Sequence, residues 1–275
     1  MIVGIDAGNN EVKLAGSLGV KKFCSAIGEY QERNLVSNHG DGMVFEYEGR
    51  KGFAGQLALI ESDFGSSIMG DTKAHEDAKM RVLLALHSYG DSDIFEIVVG
   101  QTISKHTPEE KERIKQMLVG THTITVNDKT RTFTIAKCQV AAEGATAFFS
   151  SPVPLNGKIR IIDVGSGTVN CATLLDMRYV NRDSETLPFG YNTIRNKDLN
   201  ELARGIFSHM SKRWKRDDEV YLVGGIAEML LEPMKTYFPN VKVLHPSLDG
   251  KQYPPIYANA IGFYNLGRVL YDGNN

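Results

Sequence analysis

The chain has 275 residues, of which 42% are hydrophobic and 23% charged, and its formal net charge is −2 at pH 7. This composition predicts a soluble globular protein with room for one large or two ordinary domains, and the balanced charge offers no general attraction for nucleic acid or an anionic membrane. Cys24, Cys138 and Cys171 stand far apart without a CxxC pair. That argues against a zinc site or a disulfide framework and for a reducing, cytoplasmic setting. No basic-then-apolar leader and no apolar window of membrane length is expected.

The opening residues Ile2, Val3 and Ile5 predict a buried strand, Asp6 to Asn10 a tight turn, and Val12, Leu14 and Ala15 a second strand. Strand–turn–strand is neither a Rossmann fingerprint nor a Walker loop, which both need a helix after the glycines. An ordinary Asn/Gly hairpin turn accounts for it. So does a phosphate site whose backbone N–H groups face the anion while the aspartate organises a metal. From about residue 20 to about residue 72, glycine-rich sequence with runs such as GMVFEYEG and KGFAG predicts a small β-rich lobe. HEDAKMRVLLALHSYG carries Ala78, Val82, Leu83, Ala85 and Leu86 at helical spacing, with Gly90 as the stop. DIFEIVVG reads as a buried strand. Thr107, Pro108 and Glu110 predict the N-cap, first-turn proline and full capping box of a helix that Gly120 ends. TITVNDKTRTFTI alternates around Asn127-Asp128 as a hairpin, and CQVAAEGATAFF reads as a strand end running into a helix.

SPVPLNGK is the best domain boundary, dividing the chain into 1–150 and 151–275. The second part then restarts the pattern of the first: KIRIIDVGSGTVNCATLLD is again an apolar strand, an aspartate (Asp163), a Gly/Ser turn and a strand. One such turn is common by chance; a duplicate with the aspartate at the same point is an internal repeat. RNKDLNELARGIFSHMSKRWK predicts an amphipathic helix with Leu199, Leu202, Ala203, Ile206, Phe207 and Met210 on one face. EVYLVGG and NVKVLH read as strands, IAEMLL begins a helix, and PIYANAIGFYNLGRVL predicts a closing helix over about 256–271.

Taken together, these stretches resemble a known family. IDAGNNEVKL and IIDVGSGTVN are similar to the two phosphate motifs of the actin–hexokinase–Hsp70 ATPases, and VYLVGGIAEML to their adenosine motif. VAAEGATA and ANAIGFYNLG resemble the two connecting segments, and all five occur in the family order between Ile2 and Gly267. DAGN followed by VK looks most like the ParM-type plasmid-segregation actins. The resemblance implies an α/β, actin-like two-domain ATPase fold: domain I over 1–150 with the lobe inserted at about 20–72, and domain II over 151–275, with the closing helix packing back on domain I. It also implies that Asp6 and Asp163 hold Mg²⁺, through water, and form the catalytic set with Glu143, which would position the attacking water. Gly8, Asn9, Asn10 and Lys13 on one side, and Gly165, Ser166, Gly167 and Thr168 on the other, would hold the phosphates, and Gly224, Gly225 and Ile226 the nucleoside. By its own chemistry Lys13 is either a phosphate ligand or a solvated strand residue, and Glu143 either a catalytic group or a helix N-terminal glutamate.

Two departures stand out. The second phosphate motif of the family commonly ends in aspartate, where this chain has Asn170, which bears on the strength of hydrolysis. Between that motif and the adenosine motif there is only Arg178 to Glu219, too little for both a helix and the lobe that actins insert there, so subdomain IIB is expected to be absent. The function implied is a nucleotide-driven filament, using ATP or GTP, that moves plasmid DNA through a separate DNA-binding adaptor, with no direct nucleic-acid or membrane contact. A compact kinase resembling type III pantothenate kinase is the alternative; it opens similarly but requires a GxDR motif that does not occur here. With the lobe gone, residues 182–188 and the basic end of the helix, Lys212 to Arg216 around Trp214, are the expected contact surfaces between subunits. The basic run reads first as helix-terminal cations suited to the dipole, and only second as a contact surface.

Overall fold

The opening apolar run forms β1 (Ile2–Ala7), and the structure, a computed structural model, describes residues 1–35, 40–66 and 72–272. β2 (Glu11–Gly16) and β3 (Gly19–Cys24) extend β1 as an antiparallel meander. Next come β4 (Ile27–Glu29), β5 (Met43–Tyr47), β6 (Arg50–Ala54) and the short helix α1 (Gln56–Glu61). After α2 (Glu76–Ser88), β7 (Ile94–Gln101) lies parallel to β1. Helix α3 (Pro108–Leu118) leads into the hairpin of β8 (Gly120–Val126) and β9 (Lys129–Ala142). Its turn residues Asn127 and Asp128 have φ of 47° and 64°, the left-handed pair that a two-residue hairpin turn demands. All nine strands form one sheet in the order β3-β2-β1-β7-β9-β8-β5-β6-β4.

The segment expected as a lobe therefore does not have a sheet of its own. Its β3 belongs to the opening meander, and β5 pairs with β8 to continue the main sheet. Residues 36–39 and 67–71 of that segment lie outside the described residues. The capping box of α3 is half made. Thr107 accepts from the Glu110 N–H at 3.3 Å, but the Glu110 carboxylate turns instead to the Thr72 hydroxyl and to Arg113 Nη1.

The second half repeats the scheme. β10 (Lys158–Val164) and β11 (Val169–Leu175) form an antiparallel hairpin, edged by β12 (Arg178–Tyr179) and β13 (Glu185–Leu187). Helix α4 (Leu199–Met210) follows, then β14 (Glu219–Gly224), parallel to β10, helix α5 (Ala227–Lys235) and β15 (Lys242–Val243). The small hairpin β16 (Ser247–Leu248) and β17 (Lys251–Gln252) precedes the last helix, α6 (Ala258–Tyr271). Helix α4 starts four residues later than its basic flank suggested, because the Asp198 carboxylate caps the N–H groups of Asn200 and Glu201. The strand expected over NVKVLH is only two residues long. Between β11 and β14 there is no further sheet, only β12, a 3-10 turn at Asn181–Asp183, β13 and α4, so the second half is a reduced one.

Each sheet has its own core. Val3, Ile5, Val12 and Leu14 pack with Leu83 and Leu86 of α2, while Leu202, Ile206 and Met210 of α4 pack with Leu230 and Met234 of α5 over β10, β11 and β14. Arg160 on β10 is fully buried and ties the second core together. Its guanidinium donates to Asp218 Oδ2 (2.8 Å), Thr173 Oγ1 (2.6 Å), Asp183 Oδ2 (3.4 Å) and the Arg213 carbonyl (3.3 Å), and it lies over the Trp214 ring. Trp214, expected at a contact surface, is 3% exposed and donates its indole N–H to the Asp183 carbonyl. Lys212, Arg213, Lys215 and Arg216 are all exposed; Arg213 pairs with Glu185 and Arg216 donates to the Thr236 carbonyl at the surface.

Helix α6 joins the two halves. Ala260, Ile261 and Tyr264 pack with Ala15 of β2, and Ala258 with Ile159 and Ile161 of β10. The approach is close because side chains are missing. A Cβ on Gly4 would lie 2.3 Å from the Ala260 carbonyl oxygen, and one on Gly262 would lie 2.2 Å from that of Thr146. Among the described residues no helix is long and apolar enough to cross a membrane.

Candidate functional site

The two hairpins point their turns at one another across a cavity of about 370 Å³, within the range of small-molecule sites. In the first, Asp6 and Lys13 are directly opposed across β1 and β2, and Lys13 Nζ lies 3.2 Å from Asp6 Oδ2. In the second, Asp163 and Asn170 are opposed in the same way across β10 and β11. Each aspartate thus meets the residue seven positions later, because both turns have the same length.

The turns are built by their small residues. Ser25 holds the first: its hydroxyl donates to the Gly8 carbonyl at 2.6 Å and its N–H to the Asn10 carbonyl at 3.1 Å. A Cβ on Gly8 would lie 2.7 Å from the Glu11 carbonyl oxygen. The second turn closes with the Gly165 N–H on the Thr168 carbonyl, and the N–H groups of Tyr191 and Asn192 strap the following segment to Gly165 and Ser166. Asn192 Nδ2 reaches Asn10 Oδ1 at 3.4 Å, a hydrogen bond from the segment strapped to the second turn across to the first turn. At the end of β14, Gly224 has φ of 99° beside Val164, which turns the chain into α5 along the cavity wall.

Every residue expected from the sequence lines this one cavity: Asp6, Gly8, Asn9, Asn10, Lys13, Glu143, Asp163, Gly165, Ser166, Gly167, Thr168, Gly224, Gly225 and Ile226. Lys13 is not a solvated strand residue, since it is largely buried beside Asp6. Burial pulls its ammonium down, but Asp6, and behind it Asp163 and Glu11, outweigh this and leave it raised. Glu143 does not begin an α-helix. It follows β9 and stands just before a 3-10 turn at Thr146–Ser150, so the macrodipole reading has no α-helix to rest on.

The structure adds contacts that the sequence alone assigned to no residue. Asn259, in the first turn of α6, donates to Asp163 Oδ2 at 2.9 Å and accepts from the Gly144 N–H at 3.0 Å, so it fixes Asp163 relative to Glu143. It stands inside ANAIG, and its neighbours there gave it no mark of its own. Asn170 donates to Glu143 Oε2 at 3.2 Å and accepts from the Ile103 N–H and the Thr186 hydroxyl. Lys73, between the lobe and α2, is buried with Nζ 3.8 Å from Glu143 Oε1; no sequence signal marked it. Tyr191, Asn192 and Ile256 also line the wall.

The electrostatics follow from burial. Glu143 is pushed up to about 7 by desolvation, with Asp6 and Asp163 adding to the rise and Lys73 and Lys13 opposing it. Asp163 is also raised, by burial first and then by Asp6, against the Asn259 hydrogen bond. Two buried carboxylates that repel each other beside an open cavity are a donor set suited to a hard divalent cation such as Mg²⁺, which takes one or two carboxylates and fills its shell with water and phosphate. Among the described residues no three His, Cys, Asp or Glu side chains converge into a closed metal cage.

The family model described as the N-terminal domain of actin-like proteins matches residues 4–145. No curated protein matches the chain. Among solved structures, the AlfA filament bound to AMPPNP is 23% identical with a TM-score of 0.77, covering 100% of this chain and 97% of that one. The AlfA filament from B. subtilis plasmid pLS32 is 22% identical with a TM-score of 0.78 and 98% coverage of both chains. Ta0583, an archaeal actin homolog, in complex with ADP is 18% identical with a TM-score of 0.74, covering 97% of this chain and 99% of that one. The fold is therefore the actin-like one throughout the chain's length.

Proposed function

The chain belongs to the actin-like protein family, and we propose that it binds a nucleoside triphosphate, ATP or GTP, with Mg²⁺ between its two hairpin turns, hydrolyses it, and assembles into filaments. The observation that carries this reading is the pair of opposed turns, each presenting an aspartate and small residues to one cavity, with Glu143 buried between them. Gly8, Asn9 and Asn10, and Gly165 to Thr168, offer backbone and side-chain donors to the phosphates, and Lys13 offers a cation. Gly224, Gly225 and Ile226 form the wall against which the nucleoside lies. Asp6 and Asp163 would hold the metal, which when bound neutralises charge on the phosphates. Glu143 orients a water, its Oε2 fixed by Asn170 so that the other oxygen is free to accept. Asn259 keeps Asp163 in register with that glutamate.

Filament formation is supported by the likeness to AlfA, two solved structures of which are filaments. The strip around 182–188, with Arg182 exposed, is the surface offered for a head-to-tail contact that repeats without closing. The reading extends to a cytoplasmic protein that segregates plasmid DNA through a DNA-binding adaptor. High-speed pelleting with and without Mg-ATP or Mg-GTP, with negative-stain imaging of the pellet, tests assembly. Protein that remains monomeric with every nucleotide and at every salt concentration overturns it.

A further inference from the structure

Lys73 belongs to no motif, yet it is 7% exposed at the cavity wall. Its neighbours fix it there. The Thr72 hydroxyl accepts from the Ala74 N–H (3.0 Å) and from Gln101 Nε2 (3.2 Å) and donates to the Glu110 carboxylate, which pins the chain beside Lys73 to the end of β7 and the first turn of α3. Among the described residues the ammonium then meets its partners only at long range. Asn9 Oδ1 is 3.5 Å away, beyond the usual range for such a hydrogen bond, and Glu143 Oε1 is 3.8 Å away, too far for one. Glu143 Oε1 is itself buried without a hydrogen-bond partner, although Oε2 accepts from Asn170.

A buried ammonium and carboxylate need hydrogen-bonded contact to recover the desolvation of their charges. Here the walls hold them apart on the edge of the cavity. Lys13 differs, because Asp6 already satisfies it at 3.2 Å. Of the two buried lysines at the cavity, the one without a close acceptor among the described residues is beside Glu143, where the nucleotide reading above places the end of the phosphate chain. Resting on that reading, we propose that Lys73 is the specificity-determining contact to the terminal phosphate, by which the site tells a nucleoside triphosphate from a diphosphate. A terminal-phosphate oxygen supplies the acceptor that Asn9 and Glu143 do not, and a diphosphate ends short of it.

The test is calorimetry of a non-hydrolysable triphosphate analogue and of the diphosphate, each with Mg²⁺, on wild type, Lys73→Met and Lys73→Arg. Lys73→Met is expected to weaken the analogue by at least about tenfold, about 1.4 kcal/mol, while changing the diphosphate by no more than about twofold. Lys73→Arg, which keeps the charge, regains part of the loss. Glu143, already raised to about 7, takes up a proton when its neighbour is removed, so the methionine variant is expected to fold, and thermal melting checks this. Equal weakening of both ligands, or an unchanged triphosphate preference, overturns the role of Lys73 and leaves the nucleotide site standing. A wild-type protein that binds neither ligand overturns both.

Discussion

Asn170→Asp restores the carboxylate that the resembling motif carries, and one distance determines its effect. Asn170 Nδ2 lies 3.2 Å from Glu143 Oε2, with both side chains buried. Two ionised carboxylates at that separation repel by about 5 kcal/mol at an effective dielectric of about 20, which corresponds to about four pH units of proton affinity. The other oxygen of the new side chain can still accept from Ile103 N–H and Thr186, so the local fold is expected to survive. Burial already holds Glu143 at about 7 even against the pull of Lys73. The two carboxylates therefore share one proton across the neutral range, and Glu143 loses its ability to accept from water. Phosphate release by the wild type should rise through about pH 7 and then level off. In Asn170→Asp it should be at least about tenfold lower at neutral pH and should not climb below about pH 10, the position that a rise of about four units from about 7 implies. Initial rates at saturating Mg-nucleotide across that range are the assay. A variant whose profile has the wild-type midpoint would refute the electrostatic account of Asn170.

Other expectations follow from the same contacts. Glu143→Ala should slow phosphate release by roughly 100-fold in single-turnover measurements and leave nucleotide affinity intact, and unchanged turnover would return Glu143 to a structural role. The raised pKa of Glu143 means that the folded state binds its proton more tightly than the unfolded chain, so the wild type loses stability as pH rises from about 4.5 to about 7. Thermal melting should show Glu143→Gln gaining on the wild type across that window, whereas a constant difference would contradict the burial argument. Asp6→Ala and Asp163→Ala should each abolish Mg-nucleotide binding in calorimetry, and near-normal affinity in both would count against the paired turns. Arg160→Ala should destabilise by about 3–5 kcal/mol in urea, because Asp183 and Asp218 are left without their buried partner. A loss below about 1 kcal/mol would show that Arg160 is dispensable to the second core.

Much of the cavity's lining was legible because hairpin periodicity and turn chemistry are local. Asp6 and Asp163 announced themselves by position, after an apolar strand and before a Gly-rich turn, and the repeat made each credible. The cross-strand partner of each aspartate was also implicit, since turn length sets register, and register puts Lys13 and Asn170 opposite them. Lys73 and Asn259 were not legible. Each reaches Glu143 or Asp163 only through tertiary packing, across 70 or 96 positions of the chain. The helix expected after Glu143 became a 3-10 turn. Its Thr146 hydroxyl folds back onto the Ala142 carbonyl, and its backbone lies hard against Gly262, leaving α6 in the space beside it. Trp214 was misplaced for a related reason. A basic run looks solvated, but Arg160, far upstream, draws the indole inward.

The seat of α6 on β1 and on the 3-10 turn at Thr146–Ser150 has an evolutionary side. It is shaped by atoms that are absent, at Gly4 and Gly262, and every substitution of glycine adds atoms. Neutral drift at these two positions has no small first step, because even alanine would bring a methyl group within 2.3 Å of a carbonyl oxygen. The neighbours Phe263 and Tyr264 can be trimmed and leave only a void, whose penalty is graded with its volume. Substitutions around the helix that joins the two halves are thus tolerated in one direction only, towards smaller side chains.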